Sequence, residues 1–566
     1  MMIKRQIKTF VLGLVIITSL TQCKAVHEKE LNPQLDSYFE QQVYNQLGAL
    51  NEGNKPGFSV IITKKDSILY KGNFGFADLN GKSPIVETTI FDIASVNKQF
   101  TGMAIALLEE KGEINMNDKI IKHLPDLPEV MSDITIYQLV HHTSGIRDWP
   151  ALFAMKGWQP EEALSLDDIY ETLKKQDHLN FTPGSEFSYS NSNYNLLAKI
   201  VEAVTDTSFE SWSKDYLFVP LGMNNTYYVD SNNSEENVMA HSYIYTGNNT
   251  IPFSNRLNAP GSSSLMSSTA DMAKWLINFN SKSVGGDVVY DKITEKGNLN
   301  NSKTIDYGYG LYLKEIKNKK AYSHDGAWGG YRSATAFFPD EKVGVVILSN
   351  NGTLRPLKIM NDIADILFGD EPKKKTKKSE STEQEINDEF FALCAGKYQQ
   401  VDDKDCYLTF FKDGEDHFLN MYNNNYRLYA KSDSVYFVKE AEAEFVFHLR
   451  NGEVNSHTLE QNGNSYVALR VEEDKKEANI NYNKLTGTFY SSELDVSYEI
   501  SYENEELIIH STAFPEDIIL EHSEDLTFKS NSGLIQSIAF LEENGAITSL
   551  VINNPRAKNI LFEKRN

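Results

Sequence analysis

Chemistry in a chain of 566 residues has to come from a few side chains held together, and one string stands out: Phe91-Asp92-Ile93-Ala94-Ser95-Val96-Asn97-Lys98. A serine hydroxyl is a poor nucleophile until a neighbouring base takes its proton, and a lysine kept uncharged can be that base. Ser95 and Lys98 are three positions apart, so the start of a helix puts them on one face. The helix's partial positive charge would then favour an oxyanion forming at Ser95. Ser-x-x-Lys alone discriminates poorly: Ser211-Trp212-Ser213-Lys214 repeats it and reads as ordinary helix surface.

Two further strings carry compatible chemistry. Pro183-Gly184 turns the chain into Tyr189-Ser190-Asn191. A phenol beside a lysine can pass a proton to a leaving group and take one from a deacylating water. Asn191 can bond both a substrate carbonyl and the lysine, or simply cap the helix it precedes. His324-Asp325-Gly326-Ala327 is the one His-x-Gly in the chain. A basic residue on an edge strand, followed by Gly326 and a small residue, lets a substrate lie along the strand and offers the Ala327 N–H to an oxyanion. Taken singly, each has a plain alternative; a lone strand histidine is more often a surface residue than a catalyst.

Their order is more telling. Ser-x-x-Lys, Tyr-x-Asn and His-x-Gly, with about a hundred residues between successive elements, resemble the three-motif signature of class C β-lactamases, DD-peptidases and related esterases. Gln138–Gly145, Tyr194-Asn195-Leu196-Leu197, Tyr307-Gly308-Tyr309-Gly310-Leu311 and Gly329-Gly330-Tyr331-Arg332-Ser333 fit the same pattern, over roughly residues 35–365. The resemblance implies that Ser95 is acylated and Lys98 takes its proton. It implies that Tyr189 is general base or acid beside Asn191, that His324 supports Tyr189 and the substrate, and that Gly326 lies against the substrate. The oxyanion hole would be the N–H groups of Ser95 and Ala327. His324 departs from the lysine that dedicated β-lactamases carry to pair with a drug's carboxylate. A histidine is largely neutral at pH 7, which turns the expectation toward the esterase and D-amino-acid peptidase branches. His142-Thr143-Ser144-Gly145 looks like a second Ser/His pair but reads as a turn, since such close neighbours rarely align as base and nucleophile.

Other catalytic classes lack their patterns. There is no Gly-x-Ser-x-Gly elbow, no His-Glu-x-x-His and no phosphate loop, so neither metal nor cofactor is expected. A different hypothesis is an inactive penicillin-binding-like sensor or scaffold whose β-modules do the binding. The intact Ser95, Lys98 and Tyr189 favour catalysis on a small-molecule or peptide substrate, of which cell-wall material is one candidate.

The elements that must position these residues follow from periodicity. Leu31–Leu50 reads as an amphipathic helix, and Phe58–Ile62 with Ile68–Phe76 as a hairpin about Lys65-Asp66. Phe91 to Gly112 reads as helix, ending at a stop signal. Residues 114–275 are mostly helices and loops, with helix starts at Asn191 and at Ser268-Thr269-Ala270-Asp271, a capping-box pattern. Strands return from Tyr309 to Asn350, turning at Pro339–Lys342. Strands at both ends of a region with helices between them predict an α+β layout: an antiparallel sheet built from distant segments, with flanking helices and a helical subdomain. The whole would be a β-lactamase-like domain over residues 28–370.

Lys373 to Lys378 and the polar residues after them predict a solvated linker, 371–386. Beyond it the pattern is short strands, and it repeats: Leu393–Tyr398 matches Leu485–Tyr490, and His448–Gly452 matches Leu541–Gly545, roughly ninety residues apart. Two tandem all-β barrel or sandwich modules are expected, 387–475 and 476–566, similar to the lipocalin-like modules appended to some serine hydrolases. Neither copy holds a catalytic cluster of its own. Whether they roof the active site, mediate assembly or bind cell-wall material stays open.

Lys4, Arg5 and Lys8 precede the apolar run Phe10–Leu20, which is too short for a stable membrane anchor and suits a signal peptide, residues 1–22. Leu20-Thr21-Gln22-Cys23 resembles a lipoprotein lipobox, which implies lipidation at Cys23 and export to the periplasm or outer membrane as a lipoprotein. Plain secretion and a retained anchor are the alternatives. Gln22 stands where that motif usually has a small residue. A net charge of −24 argues against nucleic acid as a partner. Cys394 and Cys406 read as half-buried strand residues, out of register for a disulfide.

Overall fold

The computed structural model describes residues 33–48, 54–228, 239–246, 249–369, 384–401, 406–421, 424–438, 443–450, 452–461, 464–471, 480–530, 532 and 534–565. The lipobox and residues 371–383 of the charged linker fall outside them.

The first unit is built on a six-stranded antiparallel sheet. Its strands are Phe58–Lys64 (β1), Ser67–Phe74 (β2), Tyr312–Ile316 (β3), Lys319–Trp328 (β4), Tyr331–Phe338 (β5) and Val343–Ser349 (β6), in the order β3-β4-β5-β6-β1-β2. β1 pairs with β6 through Val60↔Ile347 and its neighbours, so segments nearly three hundred residues apart make the centre of the sheet. Both strands are buried along almost their whole length, because both faces are covered. Val60, Ile62, Val345 and Ile347 pack into one cluster with helices Pro33–Gly48 (α1) and Pro356–Phe368 (α5). Ile61, Val346 and Leu348 point the other way, into the larger cluster with helices Lys98–Glu110 (α2) and Thr269–Ser281 (α4). The helical subdomain, including Asn191–Thr205 (α3), lies between β2 and β3 in the chain. This is the α+β layout that the periodicity predicts.

Local chemistry explains the departures. Phe91-Asp92 is not helical: it pairs with Met266 and Ser267 as a short strand. The Asp92 carboxylate then accepts the Ala94 N–H at 2.7 Å, and a 3₁₀ turn, Ala94–Asn97, leads into α2. At the start of α4, Ser268 accepts the Asp271 N–H. The Asp271 carboxylate, however, accepts instead from the Asn225 N–H and the Thr226 hydroxyl, so only half of the capping box forms. Lys320–Ser323 and the His324–Ala327 motif are one strand, β4.

Two all-β modules follow. The first is a nine-stranded sheet whose end strands, Asn424–Arg427 and Tyr429–Ser432, do not pair, leaving it nearly closed. The second is a closed barrel, its first strand Gly487–Ser491 pairing with its last, Ala557–Arg565. The sequence repeat is structural: Gly396 and Gly487 open equivalent strands at φ 142° and 135°, where a side chain would be strained, and Tyr398 and Phe489 both point into the cores. Cys394 and Cys406 are buried, not half-buried, and Cys394 ends the helix Asp388–Cys394 rather than lying on a strand. The first module closes its own hydrophobic cluster, whereas the second barrel's interior is continuous with that of the helical subdomain. Among the described residues, no helix is long and apolar enough to cross a membrane.

Candidate active site

Ser95 sits in the 3₁₀ turn just before α2, after Ala94 at φ 47°, a left-handed conformation that bends the chain sharply at the nucleophile. Lys98 opens α2 and is completely buried. Its Nζ lies 3.0 Å from Ser95 Oγ, 2.8 Å from Asn191 Oδ1 and 2.8 Å from the Ser262 carbonyl oxygen. The amide and peptide oxygens can only accept. A neutral amine therefore donates its two N–H groups to them and turns its lone pair to the Ser95 O–H. Burial pushes the Lys98 pKa down to about 7, with Asp148 opposing and Arg556 assisting. A lysine in that state can remove a serine proton.

Helix α2 is locked to the rest of the domain by its polar residues. The Asn97 amide donates to the Ser263 carbonyl at 2.9 Å and accepts from the Tyr228 hydroxyl at 2.6 Å. Gln99 bridges Thr335 on β5 and the Trp275 indole of α4.

Tyr189 lies with its ring 4.8 Å from Lys98 Nζ. Its hydroxyl is buried beside the Ser95 hydroxyl. Burial raises its pKa well above the usual phenol value, and the Ser95 hydroxyl pulls it only partly back. Asn191 does not cap its helix. It is the first residue of α3, and Asp148 caps it, accepting the Asn191 N–H at 2.7 Å and the amide Nδ2 at 3.1 Å. With Nδ2 committed to the carboxylate, Oδ1 is the atom turned to Lys98.

β4 supplies the third motif. Pairing with β3 stops at Tyr312↔Ser323 while β4 runs on to Trp328, so residues 324–328 keep a free edge beyond β3. A Cβ on Gly326 would come within 2.5 Å of the Ile93 carbonyl and 2.9 Å of the Ser95 nitrogen; glycine is what lets the strand approach the nucleophile. Ser333 on β5 fastens the same contact, donating to the Ile93 carbonyl at 2.7 Å. Ala327, one residue on, is exposed in the cleft.

His324 is buried, and its pKa is pushed down to about 3 by burial and then by Lys98. Its Nδ1 donates to the Asp325 carbonyl at 2.6 Å, so Nε2 accepts from the Tyr307 hydroxyl at 3.2 Å. The ring centroid of Tyr189 is 6.1 Å away. His324 is therefore hydrogen-bonded to Tyr307 rather than to Tyr189, and both of its nitrogens are occupied.

The structure thus brings Ser95, Lys98 and Asn191 into one hydrogen-bonded set, with Tyr189, Gly326, Ala327 and His324 around it. Cys23 lies outside the described residues. Ser211 and Lys214 are exposed, away from any such set. Ser144 is buried and donates to Asn193, while the His142 ring packs 4.4 Å from the ring of Tyr189 as its floor. The aromatic walls are Trp328, stacked on Trp158, and a groove of about 540 Å³ lined by Phe187, Tyr307 and Tyr312.

Two site residues escape a sequence reading. Asp148 follows an unremarkable Gly-Ile-Arg, and Arg556 lies in the second barrel, 408 positions from the aspartate it meets at 3.0 Å. Of the roles left open for the β-modules, a place at the active site is thus the one the second module takes.

The sequence profile of the beta-lactamase family matches residues 35–367. Among curated proteins, penicillin-binding protein 4* of Bacillus subtilis (strain 168) is 27% identical over 453 residues, covering 76% of this chain and 98% of its own. The octameric penicillin-binding protein homologue from Pyrococcus abyssi aligns with 77% of this chain and 99% of its own, at TM-score 0.55 and 22% identity. The D-amino acid amidase of Ochrobactrum anthropi SV3, solved with D-phenylalanine, aligns with 59% of this chain and 99% of its own, at TM-score 0.50 and 18% identity. Both structures share the fold of the first unit.

Proposed function

Given that this chain belongs to the beta-lactamase family of serine hydrolases, we propose that it is an exported acyl-serine hydrolase that cleaves an ester or amide, a peptidase or esterase rather than a dedicated β-lactamase. The observation that carries the reading is the buried Lys98 amine aimed at Ser95 Oγ by two oxygens that can only accept.

Lys98 takes the Ser95 proton as Oγ attacks the carbonyl carbon. The tetrahedral oxyanion is received by the N–H groups of Ser95 and Ala327, which face it across the close contact at Gly326. The Tyr189 hydroxyl, buried beside Ser95, hands a proton to the leaving alcohol or amine. Water then enters from the cleft and loses its proton to the same group as it attacks the acyl carbon, and the Lys98 ammonium returns its proton to the departing Ser95 oxygen.

His324 sets the preference. Buried, neutral and with both nitrogens bonded, it offers no charge to a substrate carboxylate at the position where a β-lactamase would present lysine. The aromatic walls favour an apolar acyl or side-chain group, and a D-amino-acid amide or an ester fits that surface.

The test is intact-protein mass spectrometry after treatment with a fluorophosphonate or a labelled penicillin. Wild type should gain one adduct that Ser95→Ala lacks; no adduct on wild type would sink the hydrolase reading. A panel of p-nitrophenyl esters, D-amino-acid amides and nitrocefin then ranks substrates, and efficient nitrocefin turnover would overturn the reading of His324. Export as a Cys23-linked lipoprotein rests on the leader sequence. Metabolic labelling with a tagged fatty acid should mark wild type and not Cys23→Ala.

A further inference from the structure

The second barrel reaches the site through the tip of one hairpin, between strands Ala546–Asn554 and Ala557–Arg565. Its backbone is zipped to the hydrolase domain on both sides of Arg556. The Arg556 carbonyl accepts the Asp148 N–H at 3.0 Å and the Asn180 amide at 3.0 Å. Lys558 N–H donates to Asn180 Oδ1 at 2.8 Å, and Arg147 donates to the Lys558 and Asn559 carbonyls at 2.8 and 2.6 Å. The tip is held by these main-chain contacts whatever side chain stands at 556.

The Arg556 side chain reaches further into the site, its guanidinium 5.9 Å from the ring centroid of Tyr189. Its Nη1 meets Asp148 Oδ2 at 3.0 Å, with the Asp148 side chain 1% exposed and that of Arg556 54% exposed. Asp148 holds Asn191, and Asn191 holds Lys98. A buried carboxylate needs a cation: Arg556 meets it directly, and Lys98 faces it through Asn191. If Arg556 did not take the charge, the lysine would have to, and an ammonium cannot accept the serine proton.

We propose that Arg556 is a positioning residue of the hydrolase: by neutralising Asp148 from the second barrel it leaves Lys98 free to act as a base. The inference rests on the acyl-serine reading above and extends the site into a module that holds no catalytic cluster of its own. The other groups facing Lys98 are the Tyr189 and Tyr194 rings, His142 below Tyr189, and His324 and Asp325 on β4, with Lys314 of β3 facing Asp325. All of these belong to the first unit. Asp148 raises the Lys98 pKa and Arg556 lowers it, in keeping with the geometry.

The test uses the full-length protein and a neutral fluorophosphonate, so that attraction of an anionic substrate by Arg556 cannot enter. The rate of Ser95 labelling is followed from acid to alkaline pH. Arg556→Gln keeps a polar contact without the charge. It should move the acid limb upward by about one pH unit, roughly tenfold slower on the limb, with recovery at alkaline pH. Arg556→Lys should keep the wild-type limb, and adding Asp148→Asn to Arg556→Gln should bring the limb back down. An unshifted limb in Arg556→Gln, or slowing by one factor at every pH, would overturn the proposal and show a merely structural contact. A wild type that takes no label removes the hydrolase reading as well, whereas a labelled wild type with an unshifted variant removes this proposal alone.

Discussion

At Lys98 two demands meet. The amine must be buried beside Ser95, and burial must not be cancelled by the carboxylate behind Asn191. Its pKa of about 7 has a direct kinetic consequence. The neutral amine is the base, and below that pKa it is protonated, so labelling of Ser95 should fall about tenfold per pH unit on the acid side. Lys98→Met keeps the shape but removes the base, and should cost at least ~10³-fold in labelling rate with the acid limb abolished. Stopped-flow labelling across pH reads both. Neither result needs the substrate to be known, because the probe reports the nucleophile alone.

At the scale of elements, the site depends on how near β4 comes to the turn carrying Ser95. Gly326→Ala places a methyl against the Ile93 and Ser95 backbone. The strand must retreat, and kcat should drop roughly 10²-fold, since small misplacements of reacting groups are costly; circular dichroism should remain that of wild type. In the first β-module, His457 on Glu453–Gln461 is fully buried among Tyr398, Phe410, Phe445 and Phe447, with neither ring nitrogen bonded. Replacing an unsatisfied polar ring by an apolar side chain of similar size removes a cost of about 1–3 kcal/mol, so His457→Leu should raise that module's melting temperature. It should also flatten its acid sensitivity. Burial pushes the pKa of His457 to about 3, as it does His324, and that of His141 to about 4. For such groups the native state favours the neutral ring, so their stabilisation is full above the unfolded value near 6.5 and is lost as pH falls from there toward the folded values. Melts recorded between pH 7.5 and 5 should show Tm falling in wild type, and less steeply in His457→Leu.

Over the whole molecule, the second barrel is joined to the first unit. Beyond the Arg556 hairpin, Arg147 and Glu493 form a fully buried ion pair across the joint, and the Tyr498 hydroxyl donates to the Met155 carbonyl at 2.7 Å. Removing one member of a buried pair strands the other charge, typically at about 3–5 kcal/mol. Arg147→Met should therefore loosen the barrel, seen as a separate low-temperature transition in calorimetry and faster proteolysis after residue 480. If the barrel orders Asp148 as proposed above, labelling of Ser95 should slow in parallel.

What the sequence alone determined is what local pattern can encode. The Ser95–Lys98 spacing, the Tyr189–Asn191 and His324–Ala327 strings, the α+β order and the tandem β-modules are each written in short stretches whose periodicity or turn chemistry is self-contained. It could not show that Asp148 rather than a serine caps α3, that Tyr307 takes the free nitrogen of His324, or that Arg556 closes the charge balance of the site. Those contacts join residues separated by as many as 408 positions, and nothing in the composition around either partner marks them. They exist because a barrel whose apolar core is continuous with the helical subdomain brings one hairpin tip onto a buried carboxylate. Only the folded chain decides which cation that carboxylate meets.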